Sequence, residues 1–501
     1  MKRFFQMLMV ATVATTGTTY AQYAGDAVRF SQGNYGSSAR LKGMGNAQVS
    51  VGGDVSSLGG NPAGLGFFTR SEFSFTPEFN NFGSKSTYLN NRLSADDSKM
   101  NLNHIGAVWY NPTYVPAGQN TGKGVLSTVF GIGYNRNNDY SQAISYGGTN
   151  TANSFRSYLG ELANGSKDVN DNLKDRTLEM DAYNGFLINL YENGVYDGNP
   201  VSSNNQLRNE TRAGGTSELN FSGAINISNE VYIGLSVGIV NLRYTTNAVY
   251  TESGNLNPYN TSTGSLGGLE PYTLNYKQSQ ETTGSGFNGR LGVIVRPVSN
   301  FRIGAILQTP TWMSIDDSFS ESLNNTLSQD KFTGGSYTYP YVYNLRTPLK
   351  GSLGASYVIG TNAILSADVD YIDYSSIRFS DAGNNYDPDI INKNNTNIRE
   401  NYKQAVNFRL GGEYRLNNVN LRAGYGMNGS PMKGDNSADF NTKYYSAGIG
   451  YRVAAYSLDL AYQRVQSMNQ YTTYGLADGS EPVASVDNNM NNVFLTLGLR
   501  F

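Results

Sequence analysis

The sequence predicts an all-β fold: a transmembrane antiparallel β-barrel of about 14 strands with an N-terminal hatch plugging the lumen. Three observations predict it. Apolar and polar residues alternate with period two along many segments. Short and long connections take turns between those segments. An export leader precedes a chain without any apolar run of the ~20 residues that a membrane helix needs.

The leader comes first. Lys2 and Arg3 make a positive start, Phe4 to Val13 is mostly apolar, and Thr19 and Ala21 frame a cleavage point before Gln22. The apolar run is too short to span a bilayer. No cysteine follows, so it is not a lipoprotein signal. The expected organisation is a signal peptide at 1–21, a hatch at 22–70 and a barrel at 71–501. The hatch expectation rests on composition. Residues 22–70 are rich in Gly, Ser and Asn, too irregular for membrane-facing strands, and placed where a segment can fold into a barrel lumen.

Alternation begins near residue 72. In the last strand Val493, Leu495, Leu497, Leu499 and Phe501 share one face, opposite Asn492, Thr496, Gly498 and Arg500. Val231, Ile233, Leu235, Val237 and Ile239 alternate with Tyr232, Gly234, Ser236 and Gly238. The segments around Phe301–Gln308 and Tyr445–Val453 repeat the pattern. Period two sends one set of side chains to an apolar medium and the other to a polar one.

A soluble sandwich alternates too, so the connections decide. Short ones fall at Asn229-Glu230, Pro297–Asn300, Gly360–Asn362, Asn417-Asn418 and Ala454-Ala455. Long polar ones are expected at 83–100, 139–215, 251–274, 313–336, 381–398, 429–441 and 467–489. Short turns on one rim and long loops on the other mark an outer-membrane barrel. Tyr371 and Tyr374, Tyr444 and Tyr445, and Tyr339, Tyr341 and Tyr343 are expected as aromatic girdles. Within 139–215, Phe155, Tyr158, Leu159 and Leu162 have helical spacing, as do Tyr183, Phe186, Leu187, Leu190 and Tyr191. Two such helices either form a greasy vestibule on the outer rim or bury each other.

Composition narrows function. Net charge is −2, which gives no basic excess for nucleic acid. There is no cysteine and one histidine, His104, which removes most catalytic and metal constellations. No Gly-x-Ser-x-Gly elbow, His-Glu-x-x-His site or P-loop occurs. Asp368, Asp370 and Asp373 divide between two faces and make a poor calcium site, while Asp96-Asp97 and Asp316-Asp317 read as solvated loop charges. We expect no enzyme, no cofactor and no metal. By parity Arg302, Arg409, Arg422 and Arg452 face the lumen, as carboxylate binders or as partners of Glu413, Asp368, Asp370 and Asp459.

Three blocks carry a family resemblance. The first is Arg40-Leu41-Lys42-Gly43-Met44-Gly45-Asn46-Ala47, running on to Asn61-Pro62-Ala63-Gly64-Leu65. The second runs from Leu345-Arg346-Thr347-Pro348-Leu349-Lys350 through Leu353–Tyr357 to Tyr371–Tyr374. The third runs from Phe408–Tyr414 through Leu421–Tyr425 and Ser446–Tyr451 to Leu458–Tyr462. Together with Gln308–Trp312, they resemble the FadL/TodX family of outer-membrane channels for long-chain fatty acids and hydrocarbons.

The resemblance implies passive uptake of a hydrophobic small molecule by a Gram-negative cell. Ligand is captured in the outer loops, moves to a lumen pocket and leaves laterally into the bilayer. It maps the hatch motif onto Asn61, Pro62, Ala63 and Gly64, and it implies an inward kink in the third strand, about residues 124–137. Candidate ligand contacts are Phe155, Tyr158, Leu159, Leu162, Phe186, Leu187, Leu190, Arg409 and Arg422. Expected partners are the apolar ligand, outer-membrane lipid and, during biogenesis, the barrel-assembly machinery. The alternative is the same barrel serving as a protein-interaction or secretion-system component.

Overall fold

Period-two patterning becomes a closed wall in the computed structural model, which describes residues 18–33, 36–114, 122–198, 203–260, 265–383, 388–435 and 437–501. The expected signal peptide lies outside the described residues up to position 17. Eighteen segments join in one antiparallel sheet, and four pairs of them are halves of one interrupted strand, so 14 strands close the barrel.

In chain order the strands are β1 (Glu72–Tyr88), β2 (Asn91–Pro112), β3 (Val125–Asp139, resuming as Gln142–Asn150), β4 (Asn204–Ile227) and β5 (Val231–Leu256). Then come β6 (Glu270–Val298), β7 (Phe301–Gln308 and Trp312–Leu327), β8 (Asp330–Arg346 and Lys350–Ile359) and β9 (Ala363–Asp373, resuming as Arg378–Asp381). The last five are β10 (Gln404–Leu416), β11 (Val419–Asn428), β12 (Thr442–Val453), β13 (Tyr456–Tyr471) and β14 (Ala484–Arg500). β14 closes on β1, in register from Glu72↔Arg500 to Thr87↔Ser485. The breaks in β7 and β8 fall at Thr309-Pro310-Thr311 and Thr347-Pro348-Leu349, where proline cannot donate to the ladder.

The outward residues form an apolar belt. Leu235, Val237 and Ile239 of β5, Leu353 and Tyr357 of β8, Leu458 and Leu460 of β13, and alternate residues from Val493 to Leu499 are all exposed. An outer-membrane belt is ~25 Å tall. β5 and β6 have 26 and 29 residues, far more than the ~9–11 a membrane crossing needs. The sheet therefore rises well beyond the belt on the long-loop side.

This corrects several expectations. Residues 83–100 are a hairpin turning at Leu89 (φ 49°) and Asn90 (φ 62°), the left-handed pair of a tight primed turn. Residues 313–336 are a second hairpin, so Asp317 is buried on the lumen face while Asp316 is exposed. The expected girdles are not continuous. Tyr371 and Tyr445 are exposed on the outer face, whereas Tyr374 and Tyr444 are buried inside. Adjacent strand residues point to opposite faces, so Tyr444 and Tyr445 cannot share one girdle. Tyr339, Tyr341 and Tyr343 lie on one face of β8, the lumen face, where Tyr341 and Tyr343 are buried and Tyr339, nearer the hairpin end, is partly exposed and donates to Glu321 at 3.3 Å. The short turns lie where expected.

Five α-helices occur among the described residues: α1 (Thr18–Ser31), α2 (Ala39–Gly43), α3 (Phe155–Gly165), α4 (Leu178–Asn184) and α5 (Pro388–Asn401). α3 sits where its spacing predicts. α4 does not, because Thr177 caps it and Gly185 ends it. Phe186 (φ 56°) has left the helix, and Leu190 belongs to a small two-stranded ribbon.

Candidate functional site

The lumen is filled in layers, and the lowest is the hatch. Asn61 caps the 3-10 turn Pro62–Phe67: its Oδ1 accepts from Ala63 N at 3.0 Å. Its Nδ2 donates to Val49 O at 2.6 Å and across to the wall at Val293 O, 3.5 Å. Pro62 occupies the first position, where its missing N–H costs nothing. Gly64 O accepts from Gly53 N at 2.9 Å, folding the hatch back on itself.

The wall admits the hatch because it presents glycine. A Cβ on Gly292 would overlap Asn61 Oδ1, and one on Gly234 would overlap the Pro62 backbone. Gly304 abuts the Val49 carbonyl, Gly411 abuts Met44, and Gly424 abuts Gly45. This is why the inward positions of so many strands are glycine. Directional bonds then pin the plug. Asp368 Oδ2 accepts from Gln48 N and Val49 N at 2.6 and 2.9 Å. Ser222 and Ser236 donate to Leu58 O at 2.9 and 3.1 Å, and Arg40 grips Glu413 through two bonds of 3.0 Å.

Above the hatch lies an apolar chamber of the lumen, filled by side chains of α1 and the wall. Tyr23, Ala24, Ala27, Val28 and Phe30 form the buried flank of α1. They pack among Leu242 and Tyr244 of β5, Ile315 of β7, Tyr341 and Tyr343 of β8, and Ile398 of α5. Tyr23 meets Tyr341 at a ring separation of 5.0 Å. Sequence reasoning took this stretch of the hatch as irregular. The signal was present, since positions 23, 27 and 30 repeat at helical spacing.

Beside the chamber the wall is broken. β2 pairs with β3 only from Pro112↔Ser127 to His104↔Asn135, whereas it pairs with β1 from Val108 to Asn91. Beyond Asn135 the register of β3 shifts, and its continuation Gln142–Asn150 pairs with β4 alone. That continuation runs behind the β1–β2 hairpin: inward Ser84 donates to Ala143 O at 2.6 Å, and Asn91 donates to Gly147 O at 2.9 Å. The third strand thus bends inward at Asn135–Asn138. The hatch approaches at the bend, with Gln32 O accepting from Asn138 Nδ2 at 3.0 Å. A cavity of about 240 Å³ opens there, lined by Gly33, Lys42, Glu78, Asn103 and Arg136 among others.

The outer mouth is closed by α3 and α4. Phe155, Tyr158, Leu159 and Leu187 are buried in a cluster with Tyr250, Tyr272, Tyr276 and Tyr474, and Leu162 and Leu190 pack against its edge. Phe186 stands outside, 57% exposed. At the centre is Glu252, which is fully buried. It accepts from Phe155 N (2.9 Å), Gln206 Nε2 (3.0 Å), Tyr250 OH (2.7 Å) and Tyr272 OH (2.8 Å). Burial pushes its carboxyl above the ordinary range, and those four donors pull it partly back. Glu252 escaped sequence reasoning because residues 251–274 read as a loop.

The lumen arginines divide. Arg409 pairs with Asp370 at 2.5 Å, and Arg422 pairs with Glu413 at 2.6 Å and Asp459 at 2.7 Å. Both are neutralised by internal acids. Arg302 and Arg452 form no ion pair among the described residues. His104 is buried, with Nδ1 2.8 Å from Asn135 Oδ1. No helix among the described residues is long and apolar enough to cross a membrane, and they contain no metal-holding group of acids and histidine.

A closed 14-strand antiparallel barrel with an apolar belt and a lumen plugged by its own N-terminal segment defines an outer-membrane transport barrel. The family described as outer membrane protein transport protein (OMPP1/FadL/TodX) matches residues 208–500, more than half of the chain, and the protein belongs to it. No curated protein matches significantly. A crystal structure of the P. putida toluene transporter TodX is similar, with TM-score 0.50 and 15% identity over 93% of this chain and 99% of that one. A second structure of the Pseudomonas putida transporter gives 0.51 and 13% over 94% and 99%. The Ralstonia pickettii toluene transporter TbuX gives 0.48 and 16% over 93% and 99%. At these identities the likeness is one of fold.

Proposed function

We propose that the protein is a passive outer-membrane channel for hydrophobic small molecules, long-chain fatty acids or hydrocarbons. In this reading solute is captured at the aromatic mouth, passes to the chamber around α1 and leaves laterally through the break between β2 and β3. The observation that carries it is the apolar chamber, packed around α1, together with the glycine-seated hatch and the break in the wall. A straight aqueous bore would serve polar solutes, but here the hatch bars it. An apolar solute entering the chamber exchanges one apolar contact for another. Each ligand CH₂ removed from water contributes about 0.8 kcal/mol. Family membership supports the transport step, and the chemistry of the chamber supports the solute class.

Mass spectrometry of lipids extracted from protein purified in mild detergent tests the reading. A stoichiometric fatty acid or hydrocarbon is the expected result. An empty extract, with a periplasmic or secreted protein co-purifying instead, would move the interaction-module reading ahead. The exit is tested separately. The chain has no cysteine, so Asn101→Cys with Asp139→Cys labels the break alone. Their present side chains meet at 2.9 Å across it. A short bifunctional thiol-reactive crosslinker should abolish solute uptake while leaving solute binding intact.

A further inference from the structure

Two of the lumen-facing arginines, Arg302 and Arg452, form no ion pair among the described residues, and both line one cavity. It measures about 340 Å³ and lies beneath the hatch at the short-turn end of the barrel, the periplasmic end of such folds. Its roof is the hatch turn Gly52-Gly53, and its rim includes Thr361-Asn362 and Asn417. Five guanidiniums line it, from Arg40, Arg302, Arg415, Arg422 and Arg452, against one lining carboxylate, Glu413.

Glu413 is already shared. It binds Arg40 at 3.0 Å and Arg422 at 2.6 Å, and Arg422 also holds Asp459 at 2.7 Å. Arg302 donates to the Val51 carbonyl at 2.5 Å and lies over the Phe67 ring at 4.5 Å, and its buried Nε has no hydrogen-bond partner among the described residues. Among the described residues the Arg415 side chain donates only to the Asn417 carbonyl, at 3.0 Å. The Arg452 side chain makes no hydrogen bond or ion pair among the described residues. Arg40 is close enough to both Arg302 and Arg452 for their charges to oppose.

Glu72 and Asp459 attract Arg452 from beyond ion-pair distance, yet the cavity lining holds more cations than carboxylates. Half-buried cations in excess of their counter-charge are a standing electrostatic cost, and they are retained where something supplies the charge. The guanidinium fork matches the paired oxygens of a carboxylate or phosphate. Val51, Phe67, Val358 and Ile364 supply an apolar side to the same cavity.

We propose that this cavity is a periplasmic-side anion site that takes one oxyanion head, a carboxylate or phosphate, between Arg302 and Arg452, with room for a short apolar remainder. The assignment rests on the charge arrangement and does not need the transport reading.

The test is calorimetric titration of the full-length mature chain in nanodiscs, in phosphate-free buffer, with empty nanodiscs subtracted. The probes are inorganic phosphate, hexanoate and hexanol. The anions bind and the neutral alcohol does not. Arg302→Gln combined with Arg452→Gln weakens anion binding at least tenfold. Thr361→Glu on the exposed rim does the same by filling the site with a fixed carboxylate, and it keeps the test decisive if the double variant fails to fold. Heat-modifiable migration on a gel reports the folded barrel in each case. Tighter phosphate binding identifies a free phosphate or phosphoryl head, and tighter hexanoate binding an amphiphilic carboxylate. Hexanol binding as well as hexanoate, no binding of either anion, or wild-type affinity in the folded variants overturns the proposal.

Discussion

The barrel is stopped at two levels by different chemistry. The hatch is held by direction: backbone against glycine, Asp368 on two amides, serine hydroxyls on Leu58 O, and Arg40 on Glu413. The outer lid is held by aromatic and aliphatic burial around one carboxylate, Glu252. A directional contact is lost when its partner moves a fraction of an ångström, so the hatch is suited to seal. An apolar contact is non-directional and can be taken over by an apolar solute, so the lid and the chamber below are suited to yield.

Perturbations that separate the two levels sharpen this comparison. The largest effect is expected from Phe155→Ala. Phe155 is fully buried and packs on Tyr276 at 4.8 Å, so truncation should cost the lid about 3–5 kcal/mol. Protease cleavage between residues 166 and 177 should accelerate sharply while ion conductance stays low. Unchanged cleavage would break the idea of an independent lid. Next is Gly292→Val, which pushes a side chain into Asn61 and should cost the hatch about 3 kcal/mol. Planar-bilayer recordings should then show ion leak with the lid still protected.

Asp368→Ala leaves the Gln48 and Val49 amides without their acceptor, a loss of about 2 kcal/mol. Hydrogen exchange across residues 44–51 should speed up more than tenfold, with the lid unchanged. The smallest effect is that of pH on the lid. Glu252 has a folded-state pKa raised above its ordinary 4.5. The folded lid therefore holds a proton that the open chain has released. Lid stability is highest below 4.5 and falls as pH rises through the raised folded value. Exchange of the α3 amides, corrected for intrinsic rate, should rise over that window in wild type and stay flat in Glu252→Gln.

The membrane-crossing part of the wall was legible because lipid outside and polar lumen inside force a strict contrast, as in Val493 to Leu499. The upper strands were not. Outside the belt both faces meet water or protein, so 83–100 and 313–336 carry no apolar stripe and read as loops. Asp317 was misplaced for the same reason, and Glu252 was hidden inside a supposed loop. In the site, the Asn61-Pro62-Ala63 turn was assigned to the hatch through its resemblance to a family motif. Parity put the arginines in the lumen, but it gives the face and not the height. Only the fold shows that Arg409 and Arg422 meet acids while Arg302 and Arg452 do not. The second rim helix failed on local chemistry, because Thr177 and Gly185 bound it earlier than the aromatic spacing suggested.

The central claim is that an apolar solute crosses a barrel that stays sealed to ions. Liposomes carrying the purified protein allow uptake of a radiolabelled fatty acid or aromatic hydrocarbon and ion conductance to be followed in the same membranes. The account predicts saturable uptake well above that of protein-free liposomes, with conductance near the protein-free baseline. Porin-like conductance, or no uptake by a folded barrel, would contradict it.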